Sequence, residues 1–346
     1  MRTDELLRIA RRRKLDRVLI TEQANVRALT GVNCDNAVVE ATGDRIVFYT
    51  DFRYVPMVHR VAPELTVRDI RKLGARKGRR PVPDRRIRIG YESSISHARF
   101  LAWQKLFPKV TFVDVAKDLA QMRAVKTPEE IAALRAAEKL NCEIWETARG
   151  AFCAGMTERE MARIIQKLMI EKGDGEAFAT IVCVGKNAAE CHHEPDDTVW
   201  NGREPVLVDM GVKLNGFCSD LTRNIVPKRS SLAYRQVYAL VREANLAAIA
   251  AARPGITGRQ LDKVARDVIR KGGFGKCFGH SLGHGVGYEI HEAPYAAKRD
   301  ETVLKPGMLV TIEPGVYLED NLGVRIEDLV LITDSGCEVL SSMCDK

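Results

Sequence analysis

Between residues 205 and 328 the chain repeatedly ends a short run of apolar, largely β-branched residues with an acid beside a turn. Asp209 closes PVLVDMG, Glu313 stands in LVTIEPGVY and Glu327 in GVRIEDLV. Asp220 lies eleven residues after Asp209, in FCSDLTR, beyond the glycine-containing turn KLNGF, so two antiparallel strands would bring both carboxylates to one spot. Taken singly, each acid reads as an ordinary strand-end turn. Together they constrain the fold strongly, because a buried carboxylate is costly unless it is paired or bound to a metal.

Histidine usage points the same way. Five of the seven histidines (192, 193, 280, 284 and 291) fall within one hundred residues. The segment HSLGHGVGYEIHEAPY holds three of them with Gly283, Gly285, Gly287 and Pro294, and glycine there permits close approach of backbone to a ligand or metal. A lone histidine is usually a satisfied core residue; five together argue against that reading. Four carboxylates and one imidazole make an oxygen-rich set that suits two divalent ions such as manganese, cobalt, iron or zinc, rather than a thiolate-rich structural zinc. Two cations about 4 Å apart share a water, lower its pKa and supply a hydroxide that attacks a carbonyl.

A length of 346 residues favours two domains, and we divide the chain at 1–120 and 121–346. Strand-like runs at 17 to 50, 86 to 92 and 110 to 115, with helical stretches in the gaps, read as a mixed α/β unit. Beyond it, helix, helix and strands occur twice, over 128 to 228 and 230 to 334, which suits a pseudo-symmetric arrangement. The first of these helices opens at TPEE, an N-cap followed by proline and acids. No run reaches the roughly 18 to 20 apolar residues of a membrane span, and the start MRTDELLRIARRRK has no secretory core. Nine scattered cysteines, none in a CxxC spacing, suit a reducing compartment, so a cytoplasmic location is expected. Part of the net charge of +8 sits in RRRK at 11 to 14 and RKLGARKGRR at 71 to 80; without interleaved aromatics these read as solvated faces, and no nucleic-acid partner is expected.

The stretches FATIVCVGKNAAECHH, LVDMG, GFCSDLTR, HSLGHGVGYEIHE, TIEPGVY and GVRIED resemble, in order and spacing, those of the pita-bread metallopeptidases. NVRALTG and FYTDFRYVPM look like the creatinase-type N-terminal domain of Xaa-Pro aminopeptidases and prolidases. The resemblance implies an α+β chain: a creatinase-like mixed domain, then a pita-bread catalytic domain with pseudo-two-fold symmetry and a curved antiparallel sheet. It implies that Asp209 chelates one of two divalent metals per chain, with manganese favoured, that Asp220 and Glu327 bridge, and that His284 and Glu313 complete the second site. Glu313 would also take the proton of the attacking water. His192 and His291 match noncoordinating histidines that bond the substrate carbonyl or the tetrahedral intermediate, and His280 matches one near the proline pocket. Arg325, two residues before Glu327, is placed on the same strand face, where it offsets the carboxylates on the substrate side and orients one of them. The substrate implied is a peptide with proline at its second position, cleaved as a dipeptide or at a peptide N-terminus. A homodimer is expected on the same ground. Creatinase lacks the metal ligands, and methionine aminopeptidases lack the N-terminal domain. A noncatalytic pita-bread module binding peptide, protein or RNA is the competing class, and the intact ligand set counts against it.

Overall fold

A computed structural model describes residues 2–74 and 86–346, so most of the second basic run lies outside the described residues. The chain divides into two compact units, Met1–Arg123 and Ala124–Lys346. The division falls inside the last turn of a helix that no proline or glycine terminates, slightly beyond the position read from sequence.

The first unit holds helices α1 (Thr3–Arg12), α2 (Gln23–Thr30), α3 (Val55–Val61), α4 (His97–Leu106) and α5 (Ala116–Ala124). Its strands are β1 (Arg17–Ile20), β2 (Val38–Thr42), β3 (Arg45–Thr50), β4 (Thr66–Asp69), β5 (Ile87–Tyr91) and β6 (Val110–Asp114). They form one mixed sheet in the order β4-β3-β2-β1-β5-β6, antiparallel across β1–β2 and β2–β3 and parallel elsewhere. Leu19, Val38, Val47 and Ile89 of the sheet pack with Trp103 and Phe107 at the end of α4. The basic run at the end of α1 is met by acids: Arg11 pairs with Asp44 at 2.6 Å and Arg12 with Asp118 at 2.7 Å. That is the behaviour of a solvated face.

The second unit opens with α6 (Pro128–Ala151) and α7 (Glu158–Lys172), followed by β7 (Ile181–Val184), β8 (Val206–Met210), β9 (Lys213–Leu214), β10 (Phe217–Cys218) and β11 (Leu221–Ile225). Then come α8 (Leu232–Ala251), α9 (Gly258–Lys271), β12 (Gly283–Gly285), β13 (Glu292–Ala296), β14 (Leu309–Ile312), β15 (Gly315–Leu318), β16 (Leu322–Arg325), β17 (Asp328–Ile332) and β18 (Cys337–Val339). Helix starts follow local sequence: Thr127 with Glu130, Thr157 with Glu160 and Thr257 with Gln260 form reciprocal capping boxes, each fixing orphan N–H groups of a first turn.

The helix, helix, strands repeat is present. In the first half β7, β8 and β11 form an antiparallel sheet, and Trp145, Met161 and Ile165 of α6 and α7 bury against its Val182 and Val208. In the second, β14, β17 and β18 form another, covered by Val237, Val241, Leu261 and Ala265 of α8 and α9. Each of the buried Val, Leu, Ile and Met side chains contributes about 1.5 to 3 kcal/mol by leaving water. The halves also share a buried polar tie: Asn141 of α6 donates to Met210 O, and Asn245 of α8 to Ile312 O, each beside a site acid. Among the described residues no helix is long and apolar enough to cross a membrane.

Candidate metal centre

Strand register and one tight turn position the first two acids. Asn215 and Gly216 both have positive φ, the requirement of the two-residue hairpin turn joining β9 to β10. The chain returns so that β11 pairs with β8 with Thr222 opposite Asp209, and Asp220 enters just before β11. In the second half, Gly283 passes so close to β14 that a Cβ there would lie 1.9 Å from Thr311 O. That approach lets His284 N donate to Thr311 Oγ1 at 3.0 Å, while Thr311 Oγ1 donates to Glu313 Oε1 at 3.1 Å. His284 Nε2 then lies 3.3 Å from Glu313 Oε1 and 3.5 Å from Asp220 Oδ2.

Glu327 arrives differently from the sequence reading. The chain leaves the ribbon β15–β16 at Arg325 and joins the sheet β14-β17-β18 at Asp328, so Ile326 and Glu327 are not in a strand, and Arg325 and Glu327 do not share a strand face. They converge instead on Thr222, whose Oγ1 donates to Glu327 Oε2 at 2.8 Å and accepts from Arg325 Nε at 3.1 Å. Glu327 N also donates to Thr222 O, which ties β11 to this crossover.

The electrostatics are those of a cation site. Ligand atoms of Asp220, His284 and Glu327 lie within 4.8 Å of one another. Asp220 and Glu327 are 3% and 1% exposed. Burial first, and then repulsion from Glu327, Asp209 and Glu313 on Asp220 and from Glu313 and Asp209 on Glu327, push both carboxyls well above the usual range. Burial also acts to raise Glu313 and to lower His284, but their mutual contact outweighs it, holding Glu313 below and His284 above their ordinary values. Asp209 Oδ2 accepts from Arg325 Nη2 at 2.5 Å, whereas its buried Oδ1 has no hydrogen-bond partner among the described residues. A crowd of buried carboxylates with an orphaned oxygen fits divalent cations, which supply the missing charge and bonds.

The remaining sequence candidates gather around this group. His291 is exposed, its ring 4.3 Å from that of His284 and edge-on to it; burial and the neighbouring His284 lower its pKa. His192 is exposed and close enough to His291 to contribute to that lowering. His280 Nε2 meets Tyr317 OH at 2.9 Å, and burial lowers the His280 pKa. Arg325 is 3% exposed and is committed to Asp209, Thr222, Tyr317 OH at 3.0 Å and Cys191 O at 3.4 Å.

Sequence reasoning missed several supports. Thr222, two residues after Asp220, shares its alternating register and was legible on that ground. Tyr317 links His280 to Arg325 and carried no pattern of its own. Glu138 of α6, fully buried, accepts from Asp220 N at 3.1 Å, and burial pushes its carboxyl up to about 8. Arg223 donates to the Glu327 carbonyl and pairs with Asp328 at 3.0 Å, pinning the crossover from below.

Residues 132–334 match Metallopeptidase family M24, and residues 2–125 match the Creatinase/Prolidase N-terminal domain. An Xaa-Pro dipeptidase of Pyrococcus furiosus is 35% identical over 352 residues, covering 98% of this chain and 97% of that protein. The solved prolidase from Pyrococcus furiosus superposes with a TM-score of 0.89 at 32% identity, covering 97% of this chain and 99% of that one. An X-Pro aminopeptidase structure from Thermotoga maritima gives a TM-score of 0.85 at 30% identity over 96% of this chain and 97% of that one. The chain therefore belongs to metallopeptidase family M24, its catalytic domain preceded by a domain of the creatinase and prolidase type.

Proposed function

We propose that the protein hydrolyses the bond between a first residue and proline, in Xaa-Pro dipeptides or at the N-terminus of longer peptides. The convergence of buried Asp220 and Glu327 with half-buried His284, beside an Asp209 Oδ1 that has no hydrogen-bond partner among the described residues, is the observation that carries the reading. Its relatives are named Xaa-Pro dipeptidase and X-Pro aminopeptidase, which supports proline at the second position of the substrate.

Asp209, Asp220, His284, Glu313 and Glu327 would hold two divalent cations. Bound there, the cations supply Lewis acidity, polarising the scissile carbonyl and making water acidic enough to attack at neutral pH. Manganese suits the predominance of oxygen donors. Glu313 takes the proton of the attacking water. Exposed His192 and His291 reach the developing oxyanion as donors, and His291, with its lowered pKa, does so as a neutral imidazole. Arg325 orients Asp209 through the 2.5 Å bond, and His280 with Tyr317 borders the proline side. Nine free cysteines suit a cytoplasmic protein, and the resemblance supports a homodimer.

The test is hydrolysis of Ala-Pro, Met-Pro, Ala-Pro-Ala and Met-Ala-Ala by chelated protein resupplied with manganese, cobalt or zinc. Metal-dependent cleavage confined to the Xaa-Pro members is expected, and the dipeptide to tripeptide ratio assigns the chain-length preference. Preference for Met-Ala-Ala, or no cleavage by folded and metal-loaded protein, would overturn the proposal.

A further inference from the structure

His193, next to His192, is absent from the chemistry above, yet it is the more elaborately bound of the two. It is 9% exposed, whereas His192 is exposed. Its Nε2 lies 2.7 Å from Glu158 Oε2 and its Nδ1 2.9 Å from Glu190 Oε2. A carboxylate oxygen faces each ring nitrogen, an arrangement that favours donation from both nitrogens and so the imidazolium form.

Glu158 is the anchor. It stands at the first position of α7, is fully buried, and accepts from four groups. Oε1 takes Val184 N at 2.6 Å and Asn187 Nδ2 at 2.9 Å; Oε2 takes His193 Nε2 and Asp196 N at 3.1 Å. These donors bracket the segment that carries His192, of which residues 190 to 197 form neither helix nor strand. A single carboxylate at a helix start, where negative charge is favoured, thus gathers the entry, the middle and the exit of the loop. The arrangement recurs at His291: exposed His291 is followed by buried Glu292, which is bonded to Lys126 Nζ at 2.5 Å. In both places an exposed histidine of the site is followed by a buried, ion-paired residue.

We propose that His193 is a positioning residue: its ring, clamped on Glu158, fixes the turn that presents His192 to the substrate carbonyl. The proposal rests on the role given to His192 above. The clamp does its work through placement, since a donor aimed at an oxyanion loses most of its value when displaced by about 1 Å.

The experiment is steady-state hydrolysis of Ala-Pro by manganese-loaded holoenzyme, with metal content measured alongside. His193→Leu is expected to lower kcat about 10- to 100-fold, the scale of losing an outer support, with KM and metal content little changed. In a His192→Ala background the same substitution should cost less than about 2-fold, because its effect passes through His192. An equal loss in both backgrounds, or full kcat in His193→Leu, would overturn the clamp. His193→Gln, whose amide replaces Nε2 toward Glu158, should recover more kcat than His193→Asn, which replaces only Nδ1 toward Glu190. That pair decides the matter even if the leucine variant does not fold, and the reverse order overturns the proposal. If His192→Ala keeps full kcat while metal-dependent Ala-Pro cleavage persists, the role of His192 is wrong, and the clamp falls with it while the peptidase reading stands.

Discussion

Asp220, His284 and Glu327 bring ligand atoms within 4.8 Å of one another, and so do Glu158, His193 and Asp196. Both groups pair two acids with one imidazole in the second unit, and by geometry alone either could hold a cation. Their surroundings differ. Four donors, two of them backbone N–H groups, converge on the Glu158 oxygens. At the other group the Glu327 carboxylate accepts from Thr222 Oγ1 and otherwise faces Asp209 and Glu313, and Asp220 is crowded by the same acids. A buried carboxylate satisfied by protein donors is a structural anchor; one surrounded by other carboxylates needs a cation from outside. Satisfaction, more than spacing, separates a positioning cluster from a metal centre.

The sharpest way to break this distinction is to remove one acid from the crowded group. Asp220→Asn should lower kcat by more than about 1000-fold, well past the 10- to 100-fold of an outer support, with loss of at least one metal per chain and retention of the folded circular dichroism spectrum. Full activity would sink the dinuclear assignment. Metal analysis of the reconstituted wild type sharpens it further: two ions per chain are expected, and a third, lost in Glu158→Gln, would mean that the satisfied cluster also binds metal.

Next in size, His291→Ala should keep both metals yet lower kcat about 100- to 1000-fold, the scale of losing an oxyanion donor, while KM changes far less. Loss of metal in that variant would make His291 a ligand and redraw the boundary between the groups.

How much of this was legible follows from the range of each interaction. Asp209 and Asp220 could be brought together from local signals, an apolar strand on either side of an Asn-Gly turn. The doubled helix, helix, strands plan was readable because capping residues such as Thr127 and Thr257 announce helix starts within four residues. The division of labour between His192 and His193 was not, because two adjacent histidines differ only in burial, and the partner that buries one lies 35 residues earlier. Likewise Thr222 meets Arg325 across 103 residues, and Arg325 meets Asp209 across 116, so no local pattern records either contact. The break at Ile326 and Glu327 escaped because the alternation of GVRIEDLV runs straight through a crossover between sheets.

Metal supply should act on stability in a way that separates the groups. Cations that bind only the folded state raise the melting temperature, by about 5 to 10 °C for each bound ion if free manganese stands near 100 times its dissociation constant, given about 2.7 kcal/mol per site and roughly 2 to 4 °C per kcal/mol. In chelated protein, Glu327→Gln removes a repelling charge and should raise the melting temperature, whereas Glu158→Gln sets an amide N–H donor against groups that themselves donate to Glu158 and should lower it. Equal signs in scanning calorimetry would erase the electrostatic contrast.

The smallest effect is in pH. Burial alone would lower the His193 pKa, but the bonds to Glu190 and Glu158 outweigh it and raise it above 6.5. A histidine whose folded pKa is raised contributes stability that is fully present below its unfolded pKa, near 6.5, and lost as pH climbs through the folded value. The stability gap between wild type and His193→Leu should therefore be widest in mildly acidic solution and narrow on the alkaline side. Denaturant midpoints of chelated protein across that range would measure it. A gap that widens with pH would mean that the ring is held neutral, as one carboxylate partner and one carboxylic acid would hold it, and the clamp on Glu158 would then be a weaker one than the imidazolium provides.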